Sequence, residues 1–457
     1  MRNIALTFLG CFTILAACSN SDDAEKPVAP IPTGDVTIYS TTNSLTRDLT
    51  RDAVNFSLKD NLAPTSITLN PTEQYQTMDG FGVAITGATC FNLLQMKPED
   101  RHAFLTETFS DDKGFGFSYI RISIGCSDFS LSEYTCCDKK GIENFALQSE
   151  EKEYILPILK EILDINPSIK IIAAPWTCPT WMKVKSLTDL TPFESWTNGQ
   201  LNPAYYQDYA TYFVKWVQAF NAEGIDIYAV TPQNEPLNRG NSASLYMSWE
   251  EQRDFVKTAL GPKFKTAGLA TKIYAYDHNY DYSDIETEKN YPGKMYEDPA
   301  ASQYLAGAAY HNYGGNREEL LNMHKAYPEK ELLFTETSIG TWNSGRDLSK
   351  RLLEDMKEVA LGTINNWCKG VIVWNLMLDN DRAPNREGGC QTCYGAVDIS
   401  NSDYKTIIRN SHYYIIAHLS SVVKPGALRI GATGYADSNI MYSAFENPDG
   451  TYAFVLM

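Results

Sequence analysis

Between about residues 75 and 405, short apolar runs alternate with amphipathic stretches in a regular order. Residues 80–85, 119–124, 170–174, 227–231, 272–276, 306–310, 332–335 and 371–374 have strand length and are mostly β-branched, aromatic or small. The segments between them read as helices. After Pro203, the residues Tyr206, Tyr209, Phe213, Trp216 and Phe220 recur with a helical period on one face, and 150–163 and 249–265 follow the same rule. Eight apolar strands separated by helical crossovers predict an α/β fold, most economically a closed (β/α)8 TIM barrel over 75–405. Both flanks differ. Residues 35–74 and 406–457 are short β segments broken by turns such as Asn447-Pro448-Asp449-Gly450. They predict a small β-sandwich side domain assembled from both chain ends. The chain stops at Met457 inside a strand-like run, so this sandwich is expected to need at least one further strand.

The first residues follow another logic. Arg2 precedes an apolar run, 4–17, that is too short to cross a bilayer and has the layout of a signal peptide. Leu15-Ala16-Ala17-Cys18 resembles a bacterial lipoprotein cleavage box, which implies removal of 1–17 and lipidation of Cys18. The acidic stretch after Cys18 resembles an export tag of surface lipoproteins. Residues 18–34, with Pro27, Pro30 and Pro32, read as a tether. The expected location is the outer membrane, facing outward, with membrane contact only through the anchor.

Composition narrows the partners. The 457 residues carry a net charge of −17 with no basic run, so nucleic acid is excluded as a partner. With 43% apolar residues the chain can bury a core. Its 28 Tyr and 8 Trp suit a surface that stacks on flat, half-polar ligands such as sugars. Setting aside Cys11 and Cys18, eight of the ten cysteines belong to the folded part. Cys390 and Cys393 have loop-disulfide spacing, and the lack of a second such pair argues against zinc.

The chemistry lies where a barrel concentrates it, at the C-terminal ends of its strands. There the sequence places Arg121 and Asp128 after strand two, Trp176 and Trp181 after three, Asn234 and Glu235 after four, His311 and Tyr313 after six, Glu336 after seven and Trp374 after eight. An ionised carboxylate at the end of an apolar strand is costly unless it is used. Two of them across an aromatic-lined cleft are what glycosidic cleavage requires: one protonates the leaving oxygen, the other attacks or activates water. A neighbouring Arg would keep the nucleophile ionised, while burial would raise the acid's pKa.

Thr231-Pro232-Gln233-Asn234-Glu235-Pro236 and Phe334-Thr335-Glu336-Thr337 resemble glycoside hydrolase family 30, as do Asp79-Gly80-Phe81-Gly82, Cys126-Ser127-Asp128-Phe129-Ser130, Ala174-Pro175-Trp176-Thr177-Cys178-Pro179-Thr180-Trp181 and Val373-Trp374-Asn375-Leu376. The resemblance runs from about 79 to 423. It implies a retaining mechanism with Glu235 as acid/base and Glu336 as nucleophile. Asn234 would hold the sugar 2-hydroxyl; Asp128, Trp176 and Trp374 would grip the glucosyl unit; Arg121 would stabilise the nucleophile; His311 and Tyr313 would line the cleft. No metal and no organic cofactor is implied. Val83 and Gly87 stand where the family often has a second Gly and an acidic residue, and Asn312 stands where glucosylceramidase has an aromatic one. The loop 384–395, with Arg386 and the two cysteines, resembles that of β-1,6-glucanases. This favours a β-1,6-glucan substrate over the alternatives, a β-glucosidase or glucosylceramidase and a non-catalytic glycan-binding lipoprotein. No protein partner is implied.

Overall fold

The computed structural model describes residues 32–58, 63–281 and 285–457. The leader, Cys18 and most of the tether lie outside the described residues. Residues 32–38 together with Arg51–Ser57 form a small unit of their own. Within it the Asp35 N–H donates to Asn55 Oδ1 at 3.2 Å, and the Phe56 N–H donates to Asp35 Oδ2 at 2.9 Å. The strands Val36–Ser40 and Thr50–Val54 pair with each other.

The larger unit contains a closed barrel of eight parallel strands: β1 (Gly80–Ala84), β2 (Tyr119–Ser123), β3 (Lys170–Ala174), β4 (Ala229–Val230), β5 (Lys272–Asn279), β6 (Gly307–His311), β7 (Glu331–Glu336) and β8 (Cys368–Val373). Each apolar run supplies one strand, and β8 closes on β1 through Gly370 opposite Gly80. The runs are mostly apolar, without strict alternation, because both faces are covered; β1, β2 and β6 are buried along their whole length.

Two strands depart from their expected bounds. β4 is short because Pro232 brings no N–H to the ladder and the chain then turns through Glu235, whose φ is +44°. β5 runs three residues further than its apolar run, to Asn279. Its register against β6 shifts between Tyr276 and His278, where Tyr276 and Asp277 have φ of +73° and +68°. Such a bulge re-aims a side chain at some cost in backbone strain.

Inside the barrel Tyr119, Ile172, Ala229, Tyr274, Ala309, Leu333 and Ile372 form an apolar layer. Below it, ion pairs close the N-terminal end: Lys170 to Asp79 at 2.7 Å, and Lys272 and Lys369 to Glu331 at 2.8 and 2.6 Å. Only the C-terminal rim is left for chemistry. Outside, Tyr206–Ala222 buries Tyr209, Phe213, Trp216 and Phe220, the stripe read from the sequence. The helix starting at Trp249 is capped by Ser248 and Glu251, and its Val256–Leu260 segment widens to a π turn just ahead of Pro262, which cannot donate.

Ile67–Thr77 and the last strands form one antiparallel sheet, ordered Tyr452–Leu456, Tyr442–Glu446, Leu428–Gly434, Ile67–Thr77, whereas Val36–Ser40 and Thr50–Val54, expected in the same sandwich, form a two-stranded sheet of their own. In Tyr452–Leu456 only Ala453 and Val455 are buried, the period-two pattern of a sheet with one wet face. Gln76 ties this sheet to the barrel by donating to the carbonyls of Ile364 and Cys368 at 2.6 and 3.1 Å.

Candidate active site

The polar rim is organised around Arg121. Fully buried on β2, it donates through Nη1 to Glu336 Oε2 at 2.6 Å and through Nη2 to Asn234 Oδ1 and Asp277 Oδ2 at 2.7 and 2.8 Å. One guanidinium thus fixes groups from β5, β7 and the turn after β4. Trp176 and Trp374 stack on each other, centroids 5.1 Å apart, and Arg121 Cζ lies 5.0 and 5.3 Å from their rings. This aromatic wall shields the cation and stiffens the floor of the cleft.

Glu235 and Glu336 face each other across that floor. One oxygen of each, together with a His311 nitrogen, lies within 4.8 Å of the others. Glu235 sits in the turn between Pro232 and Pro236, held by its N–H on the Asp277 carbonyl at 2.9 Å, and its Oε2 accepts from Asn238 Nδ2 at 2.7 Å. Glu336 ends β7, and its Oε1 accepts from the Tyr313 hydroxyl at 3.0 Å. His311 bridges the site: Nδ1 is 3.2 Å from Glu235 Oε1 and 4.0 Å from Glu336 Oε1, and Nε2 is 3.1 Å from Asp277 Oδ1.

The charges distribute differently from the expectation based on Arg121 alone. Burial opposes a charged His311, yet Glu336, Asp277 and Glu235 hold its imidazolium up to about 9. Burial would raise Glu235 too, but His278 and His311 pull it below the usual carboxylate range. Glu336 is raised, because burial and the charge of Glu235 outweigh His311 and Arg121. The reversal follows from geometry: Arg121 is shared with Asp277, and the nearest cation to Glu235 is an imidazolium. His311 Nδ1 and Glu235 Oε1, 3.2 Å apart, form one coupled pair.

The remaining candidates converge on the same cleft. Burial, then the charges of Glu336 and Glu235, raise Asp128 to about 8. Asp128 Oδ1 and Trp374 Nε1 are buried with no hydrogen-bond partner among the described residues, the pattern expected of groups that a polyhydroxylated ligand satisfies. Tyr313 is 44% exposed and stands at the mouth. Trp181 is a packing residue: its Nε1 donates to the Cys137 carbonyl at 2.8 Å and its ring meets Tyr205 edge-on.

The departures from the family pattern also resolve. A Cβ built on Gly87 would stand 2.0 Å from Glu150 Oε1, so the buried Glu150 carboxyl, raised to about 7 by burial, fills the space a side chain at 87 would take. Asn312 lines a polar cavity of about 420 Å³ with Arg317, Glu318 and Arg351. Cys390 and Cys393 form a disulfide. Their loop pairs with the segment after Glu336 through Gly340 opposite Cys393, and Arg386 Nη2 donates to the carbonyls of Ser127 and Ser242 at 2.7 and 2.6 Å. Arg386 thus clamps the loops carrying Asp128 and Glu235.

Asp277 is absent from the sequence-derived set. It accepts from Arg121, Thr231, Thr335 and His311, and its carboxyl is held far below the usual range by Arg121 and His311 against burial. The strand-end rule applied to Asp277-His278-Asn279 reaches it once β5 is allowed its full length. Glu235, His311 and Glu336 have the composition of a His/carboxylate metal site. Each, however, is already engaged, by Asn238, Asp277 and Arg121 respectively.

Residues 78–423 match the glycosyl hydrolase family 30 TIM-barrel domain and 426–457 match that family's beta sandwich domain. The chain is 32% identical over 406 residues to the endo-1,6-β-D-glucanase BGN16.3 of Trichoderma harzianum, covering 83% of this chain and 77% of the relative. It is 26% identical over 419 residues to the lysosomal acid glucosylceramidase of Mus musculus, covering 86% and 76%. Among solved structures, the endo-β1,6-glucanase BT3312 superposes with a TM-score of 0.92 at 87% identity, over 93% of this chain and 92% of that one.

Proposed function

Because both its barrel and its terminal strands match, the chain belongs to glycosyl hydrolase family 30, and from that premise we propose that it is a retaining endo-β-1,6-glucanase. The observation that carries the chemistry is the spacing of Glu235 and Glu336. Their oxygens approach within 4.8 Å, close to the ~5–5.5 Å of double displacement and too near for the intervening water of an inverting enzyme. The β-1,6 linkage rests on the similarity to two endo-β-1,6-glucanases, at 87% and 32% identity.

In this reading Glu336 attacks the anomeric carbon while Glu235 protonates the departing glycosidic oxygen. His311 Nδ1, 3.2 Å from Glu235 Oε1, is placed to exchange a proton with that carboxylate. The glucosyl group then sits on Glu336 as an ester, and Glu235 deprotonates the water that releases it. Arg121 and Tyr313 hold Glu336 for attack. Trp176, Trp374, Asp128 and Asn234 hold the glucosyl unit, with the buried, unpartnered Asp128 Oδ1 available to its hydroxyls. No metal or organic cofactor takes part in these steps. We place the chain on the cell surface through Cys18, a location supported only by the leader sequence and the tether.

Incubation of the purified protein with the β-1,6-glucan pustulan tests the reading. New reducing ends and gentio-oligosaccharides are expected. Their absence between pH 4 and 8, with cleavage of an aryl β-glucoside or a glucosyl lipid instead, would reassign it to glucosidase or glucosylceramidase chemistry.

A further inference from the structure

We propose that Trp342 forms a separate glucosyl-binding subsite, away from the two carboxylates, which recognises the glucan chain as a polymer. The proposal builds on the glucanase reading and concerns how far along the chain recognition extends.

Trp342 lies six residues beyond Glu336, in the short 3-10 turn Thr341–Asn343. It is 54% exposed, whereas Trp176, Trp216 and Trp374 are buried. An exposed indole on the segment that follows the nucleophile offers a flat, half-polar platform suited to the apolar face of a sugar ring.

The backbone beneath it is arranged for that purpose. A Cβ built on Gly340 would lie 1.9 Å from Trp342 Cζ3 and 2.5 Å from the Thr392 carbonyl, so the indole rests on bare backbone that any other residue would push away. The strand pair beneath is fixed from the other side by the disulfide loop: Ile339 pairs with Tyr394 and Gly340 with Cys393, and the Thr341 N–H donates to the Thr392 carbonyl at 2.9 Å. The indole is thus backed by this strand pair and is still half exposed.

The same segment reaches back to the catalytic carboxylate. Between Glu336 and Trp342 the chain contains Ser338, whose Oγ is 3.0 Å from the Tyr313 hydroxyl that also contacts Glu336. Trp342 and the reacting carboxylate therefore belong to one braced segment. A glucosyl residue stacked on the indole has its distance from the scissile bond set by that brace.

The test uses Trp342→Ala and Trp342→Phe in the full chain, with thermal unfolding to confirm that each is folded. KM and kcat are measured on β-1,6-gluco-oligosaccharides of increasing length and on pustulan. The expected result for Trp342→Ala is a KM on pustulan raised about tenfold with kcat within about twofold, a penalty that shrinks as the substrate shortens, and partial recovery in Trp342→Phe. An equal penalty at all lengths, or none, overturns the proposal. In parallel, Glu336→Gln with and without Trp342→Phe is titrated with the longest oligosaccharide and read by tryptophan fluorescence. A smaller signal in the double variant, with Trp176 and Trp374 still reporting, supports the subsite; an unchanged signal, or none in either protein, overturns it. If the wild type does not cut pustulan, the glucanase reading fails on its own while this titration still decides the subsite.

Discussion

Replacing Asp277 by Asn tests whether this buried carboxylate, which touches no substrate in the proposed mechanism, is a positioning residue for both catalytic carboxylates. Its oxygens accept four hydrogen bonds, two from the charged Arg121 and His311 and two from Thr231 and Thr335. An amide keeps one oxygen. Repulsion between its NH2 and Arg121 turns that oxygen toward Arg121 and Thr231, so His311 faces an amide nitrogen and loses an anion. A charge-assisted hydrogen bond contributes roughly 1.5–3 kcal/mol, and removing one partner of a buried pair costs roughly 3–5 kcal/mol. A loss of about 3 kcal/mol in folding stability at pH 7 is therefore expected.

The pH dependence supplies the sign. The imidazolium of His311 is stabilised by folding, so its contribution is complete below its unfolded pKa of about 6.5 and disappears as pH rises through about 9. The stability gap between wild type and Asp277→Asn should thus narrow at pH 10, where only the Arg121 contribution is left. Activity follows the same group. The wild type should lose kcat/KM as pH rises through about 9, and the variant should lose it at lower pH. Urea unfolding at pH 6, 7.5 and 10 with pH–rate profiles measures both. A stability change under about 0.5 kcal/mol, or an alkaline limb that does not move, would refute the assignment.

Glu336→Gln should lower turnover by at least about a thousandfold while glucan binding, followed by calorimetry, persists. Glu235→Ala should recover part of its rate on aryl glucosides with good leaving groups, since these need little protonation; equal losses on good and poor leaving groups would remove Glu235 from the acid role. Replacing Cys390 and Cys393 together by Ser should cost about 1–2 kcal/mol, given the short loop they close, and should raise KM, because the freed loop borders Asp128 and Trp342. Unaltered KM for glucan would separate the loop from recognition.

The barrel was legible because eight apolar runs, each covered on both faces, leave a strong signal in one dimension. Glu235, Glu336, Arg121 and the two stacked tryptophans were legible because strand ends are where such a fold exposes its chemistry. Asp277 was hidden for a local reason: a bulge with two left-handed residues prolongs β5 beyond its apolar run, and nothing in the composition of Tyr276-Asp277-His278 announces it. The direction of the carboxylate pKa shifts was out of reach for a related reason. It depends on how Arg121 is divided among its neighbours and on His311 lying against Glu235, distances that only the closed barrel fixes. Glu150 filling the space above Gly87 is likewise a matter of three dimensions.

The pairing of Arg121 with Asp277 has a practical consequence. Because that pair is already neutral without Glu336, truncating Glu336 to Gly strands no cation beneath the cleft and opens room at the anomeric carbon. The chain is thereby suited to being run backwards: fed an activated glucosyl fluoride, a nucleophile-free version would build β-linked oligosaccharides that it can no longer take apart.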